Sequence, residues 1–384
     1  MVVTSKHSKI TLFEPDFGSS LTDLIIELDY LRKKPLGGTT HPVIFFQLKN
    51  IFHMLESIGS SRIEGNHTTV AEYIETKIEG KKSKNEKDIE IQNLEKAMEF
   101  IDKNVKKYKV NRIFLSELHK QVVKDLTSPP SGEGSVDPGQ YRAKNCEIVK
   151  SKHIPPDFTQ VDDYMKEFFN FINKESAAKY DLLKVAVSYH RFAWIHPFDN
   201  GNGRTVRLLT YAMLVKQGFN VNVGRILNPT AIFCIDRKKY YDALSWADRG
   251  TKKGELEWCE YVLSGLKKEI EKIDKLSDYE YLANKILIPM ISYSLDRKTI
   301  TDLESKILRI AVEKQVFMSS DIKTLMPNKV YTERSRVLRK LKNKKMIAPE
   351  KGKSRKYTLR FDNNYLLRGV IDALEKEGFI PIRN

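Results

Sequence analysis

The stretch His196-Pro197-Phe198-Asp199-Asn200-Gly201-Asn202-Gly203-Arg204-Thr205-Val206-Arg207 decides the reading of this chain. Just upstream, residues 180–195 are apolar on most of their circumference, which predicts a helix at the centre of the core. Pro197 ends it, because the residue before a proline is driven out of the α region. Gly201 and Gly203 let the backbone turn tightly and expose its N–H groups. A second apolar helix, carrying Leu208, Leu209, Ala212, Met213 and Leu214, then begins with the positive end of its dipole facing the loop. A loop that feeds a helix N-terminus is a ready anion site. Arg204 and Arg207 are three apart and can share a face, and two guanidinium forks suit a polyphosphate better than a single carboxylate. His196, at the rim, can serve as a general base at neutral pH. Singly, these features also describe an ordinary interhelical turn and a satisfied core histidine. Their co-occurrence within twelve residues argues for chemistry.

The run resembles the signature of the Fic family, H-P-F-x-[D/E]-G-N-G-R-x-x-R, with His196, Pro197, Phe198, Gly201, Asn202, Gly203, Arg204 and Arg207 on matching positions. The resemblance implies a helical fold that moves AMP from ATP onto a Ser, Thr or Tyr hydroxyl of a protein. His196 would take the hydroxyl proton. Asn202 and the loop amides of Gly201 and Gly203 would hold the α- and β-phosphates, and Arg204 and Arg207 the β- and γ-phosphates. One position departs: the family's acidic metal-holding residue is Asn200 here, with the acid one place earlier at Asp199. Either Asn200 coordinates Mg2+ (or Mn2+) through its amide oxygen, a weaker ligand than a carboxylate, or Asp199 substitutes, or the enzyme is weakened.

Ser60-Ser61-Arg62-Ile63-Glu64-Gly65 resembles the family's inhibitory motif, [S/T]-x-x-x-E-[G/N], through Ser60, Glu64 and Gly65. Ser60 and Glu64 share a face if the stretch is helical. The resemblance implies that Glu64 pairs with Arg207 and competes with the γ-phosphate. The plainer alternative is a helix end with Gly65 just past it and Glu64 on the surface. Pro138-Gly139-Gln140-Tyr141-Arg142 resembles the segment leading into the family's flap, expected over 143–153 as a β-hairpin that pairs with the target by strand addition. Asp236 to Asp242 resembles the family's post-core helix, so Tyr240 or Tyr241 would line an adenine pocket or else pack in the core.

The rest of the chain fits a mostly α fold. It has 384 residues, 41% hydrophobic and 30% charged, which describes a globular protein rather than a disordered one. Helical periodicity appears at 20–33, 44–56, from 70, and at 88–105, 111–126 and 160–174. Cys146, Cys234 and Cys259 lie far apart without C-x-x-C spacing, as incidental thiols in a reducing compartment do. No leader-like apolar region and no stretch of ~18 apolar residues appears, so a cytoplasmic protein without a membrane partner is expected. Net charge is +16, and residues 301–384 hold 20 Lys+Arg against 10 Asp+Glu, about +10 of that total. A helix (302–315), a short helix (321–326), a basic helix (332–343) and two strands around Lys351-Gly352-Lys353-Ser354-Arg355 give this end the rhythm of a winged helix. Arg334, Arg336, Arg339 and Lys340 could reach DNA, with Lys351, Lys353 and Arg355 on the wing. The competing reading is a basic appendage for homodimerisation or protein docking. The expected layout is an N-terminal helical region with the inhibitory motif (1–105), the Fic-type helical bundle with its flap (106–250), a helical linker (251–298) and the small winged-helix domain (299–384). The leading functional expectation is an autoinhibited protein adenylyltransferase whose target includes itself. The alternative is a nucleotide-sensing DNA-binding regulator with little turnover, and a third variant is removal of AMP with Glu64 as base for water.

Overall fold

A computed structural model of the chain describes residues 9–33, 39–80, 85–148, 151, 153–219, 232–233, 236–350 and 352–380. Helices dominate. In chain order they are α1 (Ser20–Lys33), α2 (Pro42–Ile63), α3 (Val70–Glu79), α4 (Glu86–Asn104), α5 (Arg112–Val122), α6 (Val161–Asn173), α7 (Asp181–Ile195), α8 (Asn202–Lys216), α9 (Arg237–Ala247), α10 (Lys252–Asp274), α11 (Ile288–Asp296), α12 (Asp302–Lys314), α13 (Tyr331–Asn343) and α14 (Leu366–Lys376). Their starts follow local chemistry. Thr69 with Glu72 and Thr301 with Glu304 close capping boxes at α3 and α12. Asn85 and Asn111 cap α4 and α5 with their side chains.

Two apolar cores organise these helices. The first gathers α1, α4–α6 and α8–α10 around α7, with Phe192, Ile195, Phe198, Tyr189 and Trp258 sealed inside. Trp258 satisfies its indole N–H on the Ala186 carbonyl at 2.7 Å. The second gathers α3, α11, α12, α13 and α14 with a small sheet. That sheet is antiparallel in the order β1 (Val316–Met318), β3 (Lys353–Leu359), β2 (Ile347–Glu350), with Phe317 opposite Tyr357 and Ala348 opposite Thr358. Helix α2 enters the second core with Ile44 to Ile58 and leaves it at Ile63, which packs in the first.

Several expectations need correction. Helix α2 runs to Ile63 rather than stopping near Glu56, because no proline interrupts it and burial from Ile51 to Ser61 stabilises Gly59 within it. The segment expected as a β-hairpin carries no strand among its described residues; 149, 150 and 152 lie outside them. Arg142 holds its base instead, as shown below. Residues 251–298 are helical as expected, with α10 packed on α1, α7 and α9, and α11 on α12 and α14. The short helix expected at 321–326 is a single 3-10 turn, Lys323–Leu325. No helix among the described residues is long and apolar enough to cross a membrane. Cys259 is buried, and Cys234 lies outside the described residues.

Candidate active site

The site is the junction of α7 and α8. After Ile195 the chain turns through His196 in the left-handed region, φ 51 and ψ 60, a conformation histidine tolerates better than branched residues. Burial is the main cause that lowers the His196 pKa to about 4, so the ring is neutral at pH 7. The Ala193 backbone beside the His196 ring favours its charged form.

The loop is held on all sides. Asn202 closes it from within: its Oδ1 accepts the Phe198 N–H and its Nδ2 donates to the Phe198 carbonyl, both at 2.9 Å. Buried Arg142 closes it from outside. Its Nε donates to the His196 carbonyl at 2.9 Å, and its fork to the carbonyls of Lys144 and Pro156. Phe198 is sealed, and its ring stacks on His119 with centroids 3.8 Å apart and planes 6° from parallel. The Gly139 N–H donates to His119 Nδ1 at 2.8 Å, so Nε2 carries the proton and donates to the Asn200 carbonyl at 3.0 Å. Gly201, φ 72, then opens α8 without a side-chain cap, so the N–H groups of its first turn face the loop.

The two arginines take separate partners. Arg204 is buried; Nη1 donates to Glu90 Oε1 at 2.9 Å and Nη2 to the carbonyl and carboxylate of Glu133. Asn66 secures Glu90 from the other side at 2.8 Å. Arg207 is also buried. Its Nε donates to the Ser60 hydroxyl at 2.8 Å, and its Nη2 to the Ser60 carbonyl at 3.0 Å and to Glu64 Oε1 at 2.6 Å. Glu64 is the C-cap of α2, followed by Gly65 at φ +106. It is therefore a helix end and an arginine partner at once, where the sequence left these as alternatives. Its side chain keeps 29% exposure. Burial pushes the carboxyl up, but Arg207 and then Arg204 outweigh it and hold it below its ordinary value. The carboxylate lies so close over α8 that a Cβ on Gly203 would collide with Glu64 Oε1.

Other expected residues fall elsewhere. The Asp199 carboxylate accepts from the Ser135 hydroxyl, the Val136 N–H and the Asn200 N–H, and so faces the 135–136 turn. The Asn200 side-chain oxygen accepts the Gly201 N–H at 2.7 Å. Asp199 Oδ2 and Asn200 Oδ1 each accept one of these bonds, which leaves a lone pair on each. No group of three His, Cys, Asp or Glu that could hold a metal by itself occurs among the described residues. Tyr240 is buried, its hydroxyl 2.8 Å from that of Tyr189 and its ring against Phe233, so it packs behind Arg207; Tyr241 is 48% exposed. His119, Glu90, Glu133 and Asn66 gave no signal in the sequence, since their partners lie 20 to 114 residues away.

Residues 109–214 match the sequence model of the Fic/DOC family. Curated relatives include the protein adenylyltransferase Fic of Drosophila virilis, 29% identical over 206 residues, or 52% of this chain and 38% of the relative. That of Culex quinquefasciatus is 30% identical over 209 residues, with 52% and 37% covered. This chain therefore spans less than two fifths of the length of the curated relatives it matches. Among solved structures, a Fic family protein of Desulfovibrio desulfuricans superposes with a TM-score of 0.56 at 17% identity, over 92% of this chain and 98% of that one. A Fic domain containing signaling protein of Bacteroides thetaiotaomicron gives 0.53 at 17%, over 66% and 96%. These likenesses establish a shared fold.

Proposed function

We propose that the chain transfers AMP from ATP to a hydroxyl of a protein and that Glu64 restrains it. The observation that carries this reading is the ion pair of Glu64 with Arg207 at 2.6 Å, directly over the uncapped start of α8 and beside His196. A carboxylate that satisfies a buried guanidinium over a helix N-terminus occupies the place a terminal phosphate would take. The names of the curated relatives supply the reaction class.

In the reaction, the neutral His196 ring accepts the proton of the target hydroxyl. The hydroxyl oxygen bonds to the α-phosphorus as the bond from that phosphorus to the bridging oxygen breaks, and pyrophosphate leaves. The N–H groups of Gly201, Asn202 and Gly203 face the phosphates, and Arg207, freed from Glu64, takes the terminal one. Arg204, by its commitment to Glu90 and Glu133, supports α8 and the 133–136 turn rather than gripping a phosphate. Mg2+ or Mn2+ would come with the phosphates of ATP, where Asp199 or Asn200 would hold it and it would neutralise their charge. Targets would be cytoplasmic proteins, a second copy of this chain among them.

The test uses purified protein and ATP labelled at the α-phosphate. Glu64→Gly should place at least ten times more label on protein than the wild type, and adding His196→Ala should abolish it. Equal labelling of wild type and Glu64→Gly would remove Glu64 from this role.

A second reading, a winged-helix module that contacts DNA, is favoured by the exposure of Arg336, Arg339 and Lys342 along α13 and of Arg355 on β3. Arg334 is partly turned inward, donating to the Lys329 carbonyl at 2.6 Å, and Lys340 lies 3.9 Å from Glu304. Lys351 is outside the described residues.

A further inference from the structure

Helix α2 belongs to both cores, and its two ends do different things. Its upstream end is stitched to the C-terminal module. Gln47 Nε2 donates to the Leu359 carbonyl at 2.9 Å, and the Phe361 N–H donates to Gln47 Oε1 at 2.7 Å. The Gln47 amide thereby accepts and donates at the end of β3 much as a neighbouring strand would. Asn50 Nδ2 donates to Asp362 Oδ2 at 2.8 Å, and the His41 N–H donates to Gln315 Oε1, just before β1, at 2.6 Å. Gln47 is only 2% exposed, so water does not substitute for these bonds. Its apolar residues Ile44, Leu48 and Ile51 pack in the same core as Leu338, Leu359 and Phe361 of the module.

The downstream end holds Arg207 through Ser60 and Glu64. Between the two ends the helix is uninterrupted, and every residue from Ile51 to Ser61 is buried. Seventeen residues separate Gln47 from Glu64, about 25 Å at 1.5 Å per residue. Such a helix, packed along its length, moves as a rod. A charged hydrogen bond weakens steeply over a shift of about 1 Å, so the seat of Glu64 depends on where the far end of the rod is anchored.

We propose that Gln47 and Asn50 are positioning residues through which the C-terminal module, residues 299–380, keeps Glu64 on Arg207. Loosening this seam frees the phosphate site, although the described residues of the module make no hydrogen bond or ion pair with Glu64 or Arg207. The proposal rests on the reading of Glu64 as a restraint.

The experiment uses the full chain with Gln47→Met and Asn50→Leu, alone and together, in the wild-type and Glu64→Gly backgrounds. Both substitutions keep volume and remove the hydrogen bonds that Gln47 and Asn50 make across the seam. Label from α-phosphate-labelled ATP and hydrogen exchange of the amides of residues 58–66 are measured, with thermal unfolding as a check on the fold. In the wild-type background the seam variants should gain label at least threefold, and exchange over 58–66 should rise while α7 stays protected. In the Glu64→Gly background they should add nothing. The swap Asn50→Asp with Asp362→Asn keeps a donor opposite an acceptor and should return Asn50-dependent label and exchange to wild-type levels.

A folded seam variant with wild-type label and wild-type exchange over 58–66 would overturn the proposal. So would an equal gain in both backgrounds, which would mean the seam acts elsewhere. If the double variant fails to fold, Asn50→Leu alone decides by the same outcomes. If Glu64→Gly itself takes no label, the transfer reading fails, and the exchange measurement alone decides the seam.

Discussion

At the scale of single residues, His119 shows what a site needs beyond the groups that touch substrate. It is fully buried, stacked on Phe198, and has one ring nitrogen on Gly139 and the other on Asn200. Burial lowers its pKa to about 4, and only the neutral ring can accept from one side and donate to the other. It ties the loop at 198–201 to the segment that leads into 140–148. His119→Phe would keep the stack and remove both hydrogen bonds. An unpaired buried backbone group costs about 1–3 kcal/mol, so unfolding stability should fall by about 2 kcal/mol. In the Glu64→Gly background kcat should fall at least tenfold, while the KM for the protein target stays put, because the loop and not the target groove is disturbed. Steady-state labelling kinetics check this; unchanged kcat would make His119 a packing residue only. The same scale explains what could be read in advance. His196, the glycines and Arg207 stand within twelve consecutive residues, and their chemistry is local. Ser60 and Glu64 carried a spacing of four, enough to pair them with one face of a helix. His119 sits in α5 as one more semi-apolar position, 81 residues from Asn200, and Glu90 is one carboxylate among many on α4.

At the scale of elements, the helices were legible because their apolar period is strong. The error at α2 came from its burial: a helix covered on nearly all sides loses the amphipathic contrast that marks its end. The hairpin expected over 143–153 rested on the resemblance of Pro138 to Arg142 to the segment leading into a flap. Beside it Arg142 takes the carbonyls of His196, Lys144 and Pro156, and the Asn145 side chain bonds Phe158 and Asp157. Among the described residues, side chains and not a strand ladder make these bonds. The basic helix α13 carries its own prediction. Leu338 and Leu341 are buried, and Arg336, Arg339 and Lys342 line its exposed side. If these three charges meet a duplex, the slope of log K against log salt should shrink by about 2.7 when all three become Gln, at about 0.9 per phosphate contact. Fluorescence anisotropy of a labelled duplex between 50 and 200 mM salt measures that slope. A slope that does not change, or no duplex binding at 50 mM salt, would return α13 to the role of a protein-docking surface.

At the scale of the whole molecule, the two cores are crossed by polar groups that fold only in particular charge states. His53 is 6% exposed on α2, near Tyr211, Asp102, Lys49 and Lys77; His119 is 0% exposed on α5, near Asn200, Asp199 and Arg204. Burial, the largest cause for each, lowers both from 6.5 to about 4 against the partial support of Asp102 for His53, and of the Asn200 carbonyl and Asp199 for His119. Between pH 6.5 and 4 the unfolded chain therefore takes up two protons at these rings that the native chain refuses, and a third at His196. Glu255, whose carboxyl burial raises to about 7, works the other way between pH 7 and 4.5 and offsets about one of the three. The net effect is a stability that falls as pH falls through that window. With each group worth about 1.36 kcal/mol per pH unit, the slope near pH 5 should be about 2 kcal/mol per unit from these two rings. Carboxylates held low by cations, Glu64 and Glu304 among them, add to the loss only at the acid end of the range. Urea unfolding from pH 7.5 to 4.5 measures the curve, and His119→Asn, which removes one of the two titrations, should make it shallower by about 1 kcal/mol per unit near pH 5. A wild-type stability that holds constant from pH 6.5 to 4.5 would mean that both rings carry protons in the native chain. The stack on Phe198 and the Gly139 bond to His119 Nδ1 could not then stand as described, and the loop that begins at His196 would lack its anchor.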